Sequence, residues 1–182
     1  MSVLNHIHEY LFLHEPHMAG RSIEAALMQH EGSENFNGLH HIPVEQMLSE
    51  KWLTERQIEV YHKFRVIRNP YDVLVTYWIT NHHTETPFYE WASTVGPEQT
   101  LKHGTMFWRY EGHTDSHIWF DNLQSGLDRH LEHCGASPVQ LQVIGKTPGK
   151  PDWRDLLTVS QAKHLEKLYP DIQRYGYGLK IS

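Results

Sequence analysis

Residues 64–78 read FRVIRNPYDVLVTYW. Phe64-Arg65-Val66-Ile67 is a short run of strand formers closed by Arg68. Asn69 suits a helix N-cap, Pro70 the first helical position, and Asp72 the first turn, where a carboxylate meets the positive end of the helix dipole. Val73, Leu74, Tyr77 and Trp78 then recur at helical spacing. The stretch predicts a strand that passes through a tight junction into a helix.

The same order recurs along the chain. Tyr10-Leu11-Phe12-Leu13 is an apolar, aromatic-rich run that reads as a buried strand, and after a turn Ile23, Ala26 and Leu27 fall on one helical face. His117-Ile118-Trp119-Phe120 is a third strand candidate, followed by a helical stretch over 123–133 that stops near Gly135. A fourth strand is expected at 139–144, ending at Gly145. The tail, SQAKHLEKLYPDIQRYGYG (160–178), reads as a helix, a break at Pro170 and a short final turn. Strands alternating with helices predict an α/β protein whose central parallel sheet, of about four to five strands, is flanked by helices. In such sheets ligands bind beyond the carboxyl ends of the strands. The junctions at 15–22 and 68–72 are both expected there. Residues 84–112 form an aromatic-rich insertion with helical pieces, a candidate substrate wall or lid. With no internal repeat and no composition break, residues 1–182 read as a single domain.

Composition limits the function. The 182 residues (21.4 kDa) are 39 % hydrophobic and 21 % charged, enough to bury a core and exclude wholesale disorder. Sixteen basic against 22 acidic residues give a net charge of −6, so no nucleic-acid partner is expected, although a local cluster of cations would still hold a small anion. Cys134 is the only cysteine, which excludes an internal disulfide and a cysteine-rich zinc site. No stretch approaches the ~18 apolar residues of a membrane span, and no basic start leads into an apolar run. The expectation is a cytoplasmic protein with no membrane partner. The sixteen histidines invite a metal reading at His6/His8, His82/His83 or His113/His117. A zinc site takes about three or four protein ligands, and no pair has a further ligand at characteristic spacing, so no metal is expected.

The first junction, HEPHMAGRSIEAAL (14–27), opens a helix after a strand, where free backbone N–H groups suit phosphate or sulfate. Gly20 permits close backbone approach, Arg21 adds a cation and Ser22 a hydroxyl. A nucleoside-triphosphate loop of the Walker type would need glycine at 15 and lysine at 21, where this chain has Glu15 and Arg21.

This segment resembles the donor-binding loop of sulfotransferases that use 3′-phosphoadenosine 5′-phosphosulfate (PAPS), in which a Pro-Lys-(Thr)-(Gly/Ala)-Gly-Thr-Ser pattern follows the first strand. Pro16, Ala19, Gly20, Ser22 and Ile23 match; His17 stands in place of the lysine, Met18 of a frequent threonine and Arg21 of the second threonine. The second junction is similar to the family's 3′-phosphate motif, Arg-Asn-Pro-Tyr-Asp with a serine eight residues after the arginine. Arg68 and Thr76 occupy those positions, with threonine for serine. WFDNL (119–123) resembles a late Phe-Glu-Asn-Leu unit. GKPDWRDLLT (149–158) resembles a Gly-Asp-Trp-Lys stretch that folds over the nucleotide, which makes Lys146, Lys150, Trp153 and Arg154 candidates to close on the donor. In GLHHIPVEQ (38–46), His41 fits best the histidine that takes the acceptor's proton, with His40 as its neighbour.

The resemblance implies a single three-layer, P-loop-like domain. It also implies transfer of a sulfonate group from PAPS to a hydroxyl or amine of a small-molecule or glycan acceptor, leaving adenosine 3′,5′-bisphosphate. Pro16, His17, Ala19, Gly20, Arg21 and Ser22 would hold the 5′-phosphosulfate, and Arg68 and Thr76 the 3′-phosphate. Lys150 and Arg154 would close over the nucleotide. His41 would act as base and His17 as the proton donor at the departing oxygen. Two alternatives stay open: a sulfotransferase-like nucleotide-binding protein without efficient transfer, and a P-loop kinase or NTPase with Asp121 as its magnesium ligand.

Overall fold

The structure, a computed structural model, describes residues 1–36, 41–81 and 83–179. In chain order its elements are β1 (Val3–Asn5), β2 (Tyr10–Phe12), α1 (Gly20–Leu27), β3 (Ser33–Asn35), α2 (Val44–Ser49), α3 (Glu55–Val60), β4 (His62–Ile67), α4 (Pro70–Thr80), α5 (Phe88–Thr94), α6 (Gly96–Thr100), β5 (Ser116–Trp119), α7 (Leu123–His133), α8 (Val159–Leu168) and α9 (Asp171–Arg174). They fall into two compact units, Met1–Ile67 with Arg109–Lys146, and Arg68–Trp108 with Thr147–Ser182.

The first unit holds a five-stranded sheet in the order β3-β1-β2-β4-β5. The strands β2, β4 and β5, all expected from the sequence, run parallel; β1 pairs antiparallel with both β2 and β3. The sheet is therefore mixed, a correction to the wholly parallel one expected. The reason is local: Asn5 accepts from the N–H groups of Ile7 and His8 with its side-chain oxygen, building an Asx-type turn that folds β1 back along β2. β4 is buried at every position but its first, as a central parallel strand should be. Leu4, Leu11, Leu13, Val44, Met47, Tyr61 and Tyr110 form the centre of one core cluster, with Trp52 and Ile58 packed against it. α7 passes so close over β5 that a Cβ on Gly126 would strike Ile118.

The fourth expected strand is absent. Residues 139–144 form no strand, and Val143 is 87 % exposed. Side chains take the place of a neighbouring strand: Gln124 donates to the Val139 carbonyl (2.9 Å) and accepts from Leu141 N–H (2.9 Å), while Ser22 Oγ accepts from Ile144 N–H (2.9 Å).

The second unit is helical. α4 begins as its sequence predicts, with Asn69 Oδ1 accepting from Tyr71 N–H at 3.0 Å and Pro70 in the first turn. Tyr71, Trp91, Phe107 and Tyr169 are fully buried. The Tyr169 hydroxyl donates to the Ala92 carbonyl (2.7 Å) and that of Tyr71 to the Ala162 carbonyl (3.1 Å), whereas the buried Trp91 indole N–H makes no hydrogen bond. Thr105 donates to the buried Asp171 carboxylate, which also accepts from Met106 N–H. Pro170 separates α8 from the short α9, as expected.

Candidate functional site

In the first unit the chain leaves β2 at Phe12, and Leu13 N–H still bonds the Phe64 carbonyl (2.9 Å) before the loop begins. His17 and Ala19 both adopt left-handed backbone (φ 61° and 57°), a conformation that residues with a Cβ seldom take. Ala19 is the N-cap of α1, and its carbonyl receives the N–H groups of Ser22 and Ile23 (3.0 and 3.2 Å). Two first-turn donors are therefore engaged by the loop itself. Gly20 is required by a close approach, since a Cβ there would fall within the His14 imidazole. Arg21 is exposed and its guanidinium lies along Gly145. Ser22 is buried with its hydroxyl accepting from Ile144 N–H, which leaves the hydroxyl proton for donation.

His41 comes to this loop. Its Nδ1 bonds the carbonyl of His14 at 3.0 Å, and the two rings meet edge to face with centroids 4.6 Å apart. A carbonyl only accepts, so Nδ1 carries a proton, and in the neutral ring Nε2 holds the basic lone pair. Arg109 Nε donates to the carbonyl of His41 at 3.1 Å, and His41 itself has left-handed backbone (φ 57°). His40 lies outside the described residues.

Glu15 is a residue that the motif reading passed over except as a missing glycine. Its side chain is fully buried, and neither carboxyl oxygen completes a hydrogen bond. Burial pushes its carboxyl up to about 8, against the opposing pull of Arg65 and Arg109. Arg65 Nη1 stands 3.6 Å from Glu15, and Arg65 Nη2 bonds Glu111 at 3.2 Å. The available signal was a carboxylate between a strand and a proline, in a position that burial would make costly without a cation.

In the second unit Arg68 precedes the capped start of α4. Lys150, distant in sequence, arrives there by an ion pair with Asp72. Burial lowers the Lys150 amine from its usual range, and the positive charge of Arg68 adds to the effect. Thr76 is buried, its hydroxyl donating to the Asp72 carbonyl at 2.8 Å. Arg154 takes a different direction: it is exposed, bonds Asp152 (3.2 Å) and lies over the Trp153 ring, which stacks on Tyr71 at 4.1 Å. The structure thus brings Lys150 beside Arg68 and Asp72 at the start of α4, keeps Thr76 in the second turn with its hydroxyl committed to the Asp72 carbonyl, and leaves Arg154 on a local partner.

One histidine of each pair is engaged elsewhere. His6 bonds Glu34 and Tyr61, His83 bonds Gln99, and His113 bonds Glu45; His82 lies outside the described residues. Among the described residues no three of His, Cys, Asp and Glu stand together as a metal site. Cys134 is half-buried, and burial pushes its thiol up, away from the reactive thiolate.

The molecule is an α/β protein with a partly parallel five-stranded sheet, a strand–loop–helix junction bearing a histidine in one unit, and a cation-bearing helix start in the other. Compared with protein-family models, curated proteins and solved structures, the chain matches none. No helix among the described residues is long and apolar enough to cross a membrane.

Proposed function

We propose that the chain is a PAPS-dependent sulfotransferase acting on a hydroxyl or amine of a small-molecule or glycan acceptor, on a P-loop-like fold of the sulfotransferase kind. The observation that carries this reading is the meeting of Arg68 and Lys150, the latter paired with Asp72, at the capped start of α4. Two cations and first-turn helix dipoles suit a phosphate monoester, the group that distinguishes PAPS and adenosine 3′,5′-bisphosphate from simpler nucleotides.

The loop at 16–22 supports the other half of the reading. Its turn is held by left-handed residues and a glycine, with Arg21 beside it, which fits a sulfonate or phosphate group. When bound, PAPS supplies the sulfonate that the acceptor receives. His41 takes the acceptor's proton at Nε2, since Nδ1 is committed to the His14 carbonyl. His17, when protonated, gives a proton to the departing phosphate oxygen, the task of the lysine it replaces. Arg21 contributes a charge that persists at neutral pH.

One feature favours a second reading, nucleotide binding without efficient transfer. A buried carboxyl, Glu15, lies two positions from His17, which itself stands where the family pattern has a permanently charged lysine.

Thermal unfolding in the presence of adenosine 3′,5′-bisphosphate, adenosine 5′-phosphate, or ATP with magnesium tests these readings. At ~100 times its dissociation constant a ligand adds about 2.7 kcal/mol, which is read as a midpoint several degrees higher. Stabilisation by the bisphosphate above the other two is expected. Stabilisation by ATP with magnesium alone overturns the proposal in favour of a kinase or NTPase. With the donor site established, His41→Ala abolishes turnover at unchanged bisphosphate affinity if His41 is the base; retained turnover removes it from that role.

A further inference from the structure

The amino-terminal end of the parallel strands carries histidines that the proposed function does not use. Alternation puts His62 and Phe64 of β4 on one sheet face, with Ser116 of β5 opposite Phe64. His130, in the last turn of α7, stacks flat on Phe64 (5.0 Å between centroids, 4° between planes) and turns its Nδ1 to His62 Nε2 at 3.2 Å. Ser116 Oγ stands 3.0 Å from the same His62 nitrogen and 3.3 Å from that of His130. His133, three residues further along α7, brings its ring to 4.6 Å from that of His62. A triangle of polar atoms thus joins the end of α7 to the sheet, with a third imidazole beside it.

The number of protons decides whether that triangle holds. With both rings neutral, His62 Nε2–H donates to Ser116 Oγ, the serine hydroxyl donates to His130 Nδ1, and each atom has a partner. With both rings charged, Nε2 and Nδ1 each carry a hydrogen, and the contact between them becomes donor against donor. The surroundings add to the cost. From α7 the facing groups are His133 and Arg129, and from β4 Lys63, which Asp115 already pairs at 2.9 Å. From β2 the neighbour is Tyr10, whose raised hydroxyl stays uncharged and bonds His30 and Ser33.

We propose that His62, His130 and Ser116 form an acid-released latch, which fastens the last turn of α7 to β4 and β5 while both rings are neutral and frees it as they take up protons. The latch rests on these contacts alone and is independent of the sulfotransferase reading. Burial holds both imidazoles below the ordinary histidine value, His130 at about 4, which is the direction a closed, uncharged pair requires. Because the folded values are depressed, the latch holds fully above the unfolded value of about 6.5 and weakens as pH falls toward 4.

The test is amide hydrogen exchange of the full chain near pH 7 and near pH 5, corrected for the intrinsic pH dependence of exchange. Cys134 N–H, bonded to the His130 carbonyl at 3.1 Å, reports on the end of α7. Leu13 N–H, bonded to the Phe64 carbonyl at 2.9 Å, reports on the sheet. A ring at about 4 when latched and about 6.5 when free makes opening roughly 20-fold easier at the lower pH. Protection at Cys134 is expected to fall by that order while Leu13 keeps its own. His62→Gln retains a donor in place of Nε2, and His130→Asn an acceptor in place of Nδ1, and neither new side chain can charge. Each is expected to leave Cys134 protection nearly level between the two pH values. Equal wild-type protection at Cys134 at both pH values, or a fall shared with Leu13, overturns the proposal; this comparison needs neither variant to fold. An undiminished pH response at Cys134 in folded His62→Gln or His130→Asn overturns it as well.

Discussion

Gly20 shows how one residue ties packing to the candidate site. The His14 ring occupies the space that any Cβ at position 20 would need, and that ring also stacks near Phe12 and meets His41. Gly20→Ala is therefore expected to displace His14. Replacing glycine by alanine in a helix returns at most about 1 kcal/mol of helix preference, whereas overfilling a packed site costs roughly 1–3 kcal/mol. The clash wins, and the thermal unfolding midpoint falls; an unchanged or higher midpoint would show that the His14 ring moves aside freely. Arg68 belongs to the same scale. If it reads the 3′-phosphate, Arg68→Ala weakens adenosine 3′,5′-bisphosphate binding by about 1.5–3 kcal/mol, the range for a charged hydrogen bond, and leaves adenosine 5′-phosphate nearly unaffected. Equal losses in titration calorimetry would exclude that role. Both glycine and arginine were legible in the sequence as motif positions. Glu15 and Arg109 were not, because their meaning lies in burial and in contacts between residues far apart along the chain.

At the scale of elements, what could be read was whatever carries a local signal. β2, β4 and β5 appear as compact apolar runs, and α4 is announced by Asn69, Pro70 and Asp72 together. β1 was missed because its turn has neither glycine nor proline and depends on the Asn5 side chain. Residues 139–144 misled in the opposite direction: Val139, Leu141 and Val143 alternate with glutamines as a half-buried strand would, but pattern alone does not provide a neighbour to pair with. The segment is instead held by Gln124, from the first turn of α7, through bonds to Val139 and Leu141. Gln124→Ala removes both while leaving the sheet intact. Hydrogen exchange at the Leu141 amide is expected to rise by about fivefold, matching the roughly 1 kcal/mol net value of one such bond, with exchange in β4 unchanged. Equal acceleration in β4 would mean that the segment supports the sheet itself.

For the whole molecule, the unusual histidine content and the buried Glu15 pull stability in opposite directions as pH changes. His62, His117 and His130 all have lowered values, chiefly because burial disfavours the imidazolium, and His130 falls to about 4. Their surroundings reinforce this: His62 faces His133 and Lys63 with only Asp115 opposing, His117 faces Arg65, and His130 faces Arg129, His62 and His133. A group whose folded value is depressed binds fewer protons than in the unfolded chain. Stability is therefore lost as pH falls below the unfolded histidine value of about 6.5 toward 4. Glu15 has the reverse sign. Its folded value of about 8 lies above the ordinary value of 4.5, so the folded state binds the extra proton and stability declines as pH rises between those limits. Below about 6.5 the three histidines outnumber the one carboxyl. Above it Glu15 leads the pH dependence: Glu45, Asp115 and Asp152 are lowered acids, already ionised there, while Cys134 and the buried tyrosines are raised. Urea denaturation from pH 4.5 to 8 is expected to give maximal stability near pH 6.5. Glu15→Gln flattens the alkaline side, and His130→Gln reduces the loss on the acid side. A profile that rises steadily to pH 8 in wild type would mean that Arg65 and Arg109 keep Glu15 ionised throughout, which reverses its sign and leaves the histidines as the only source of pH dependence in this range.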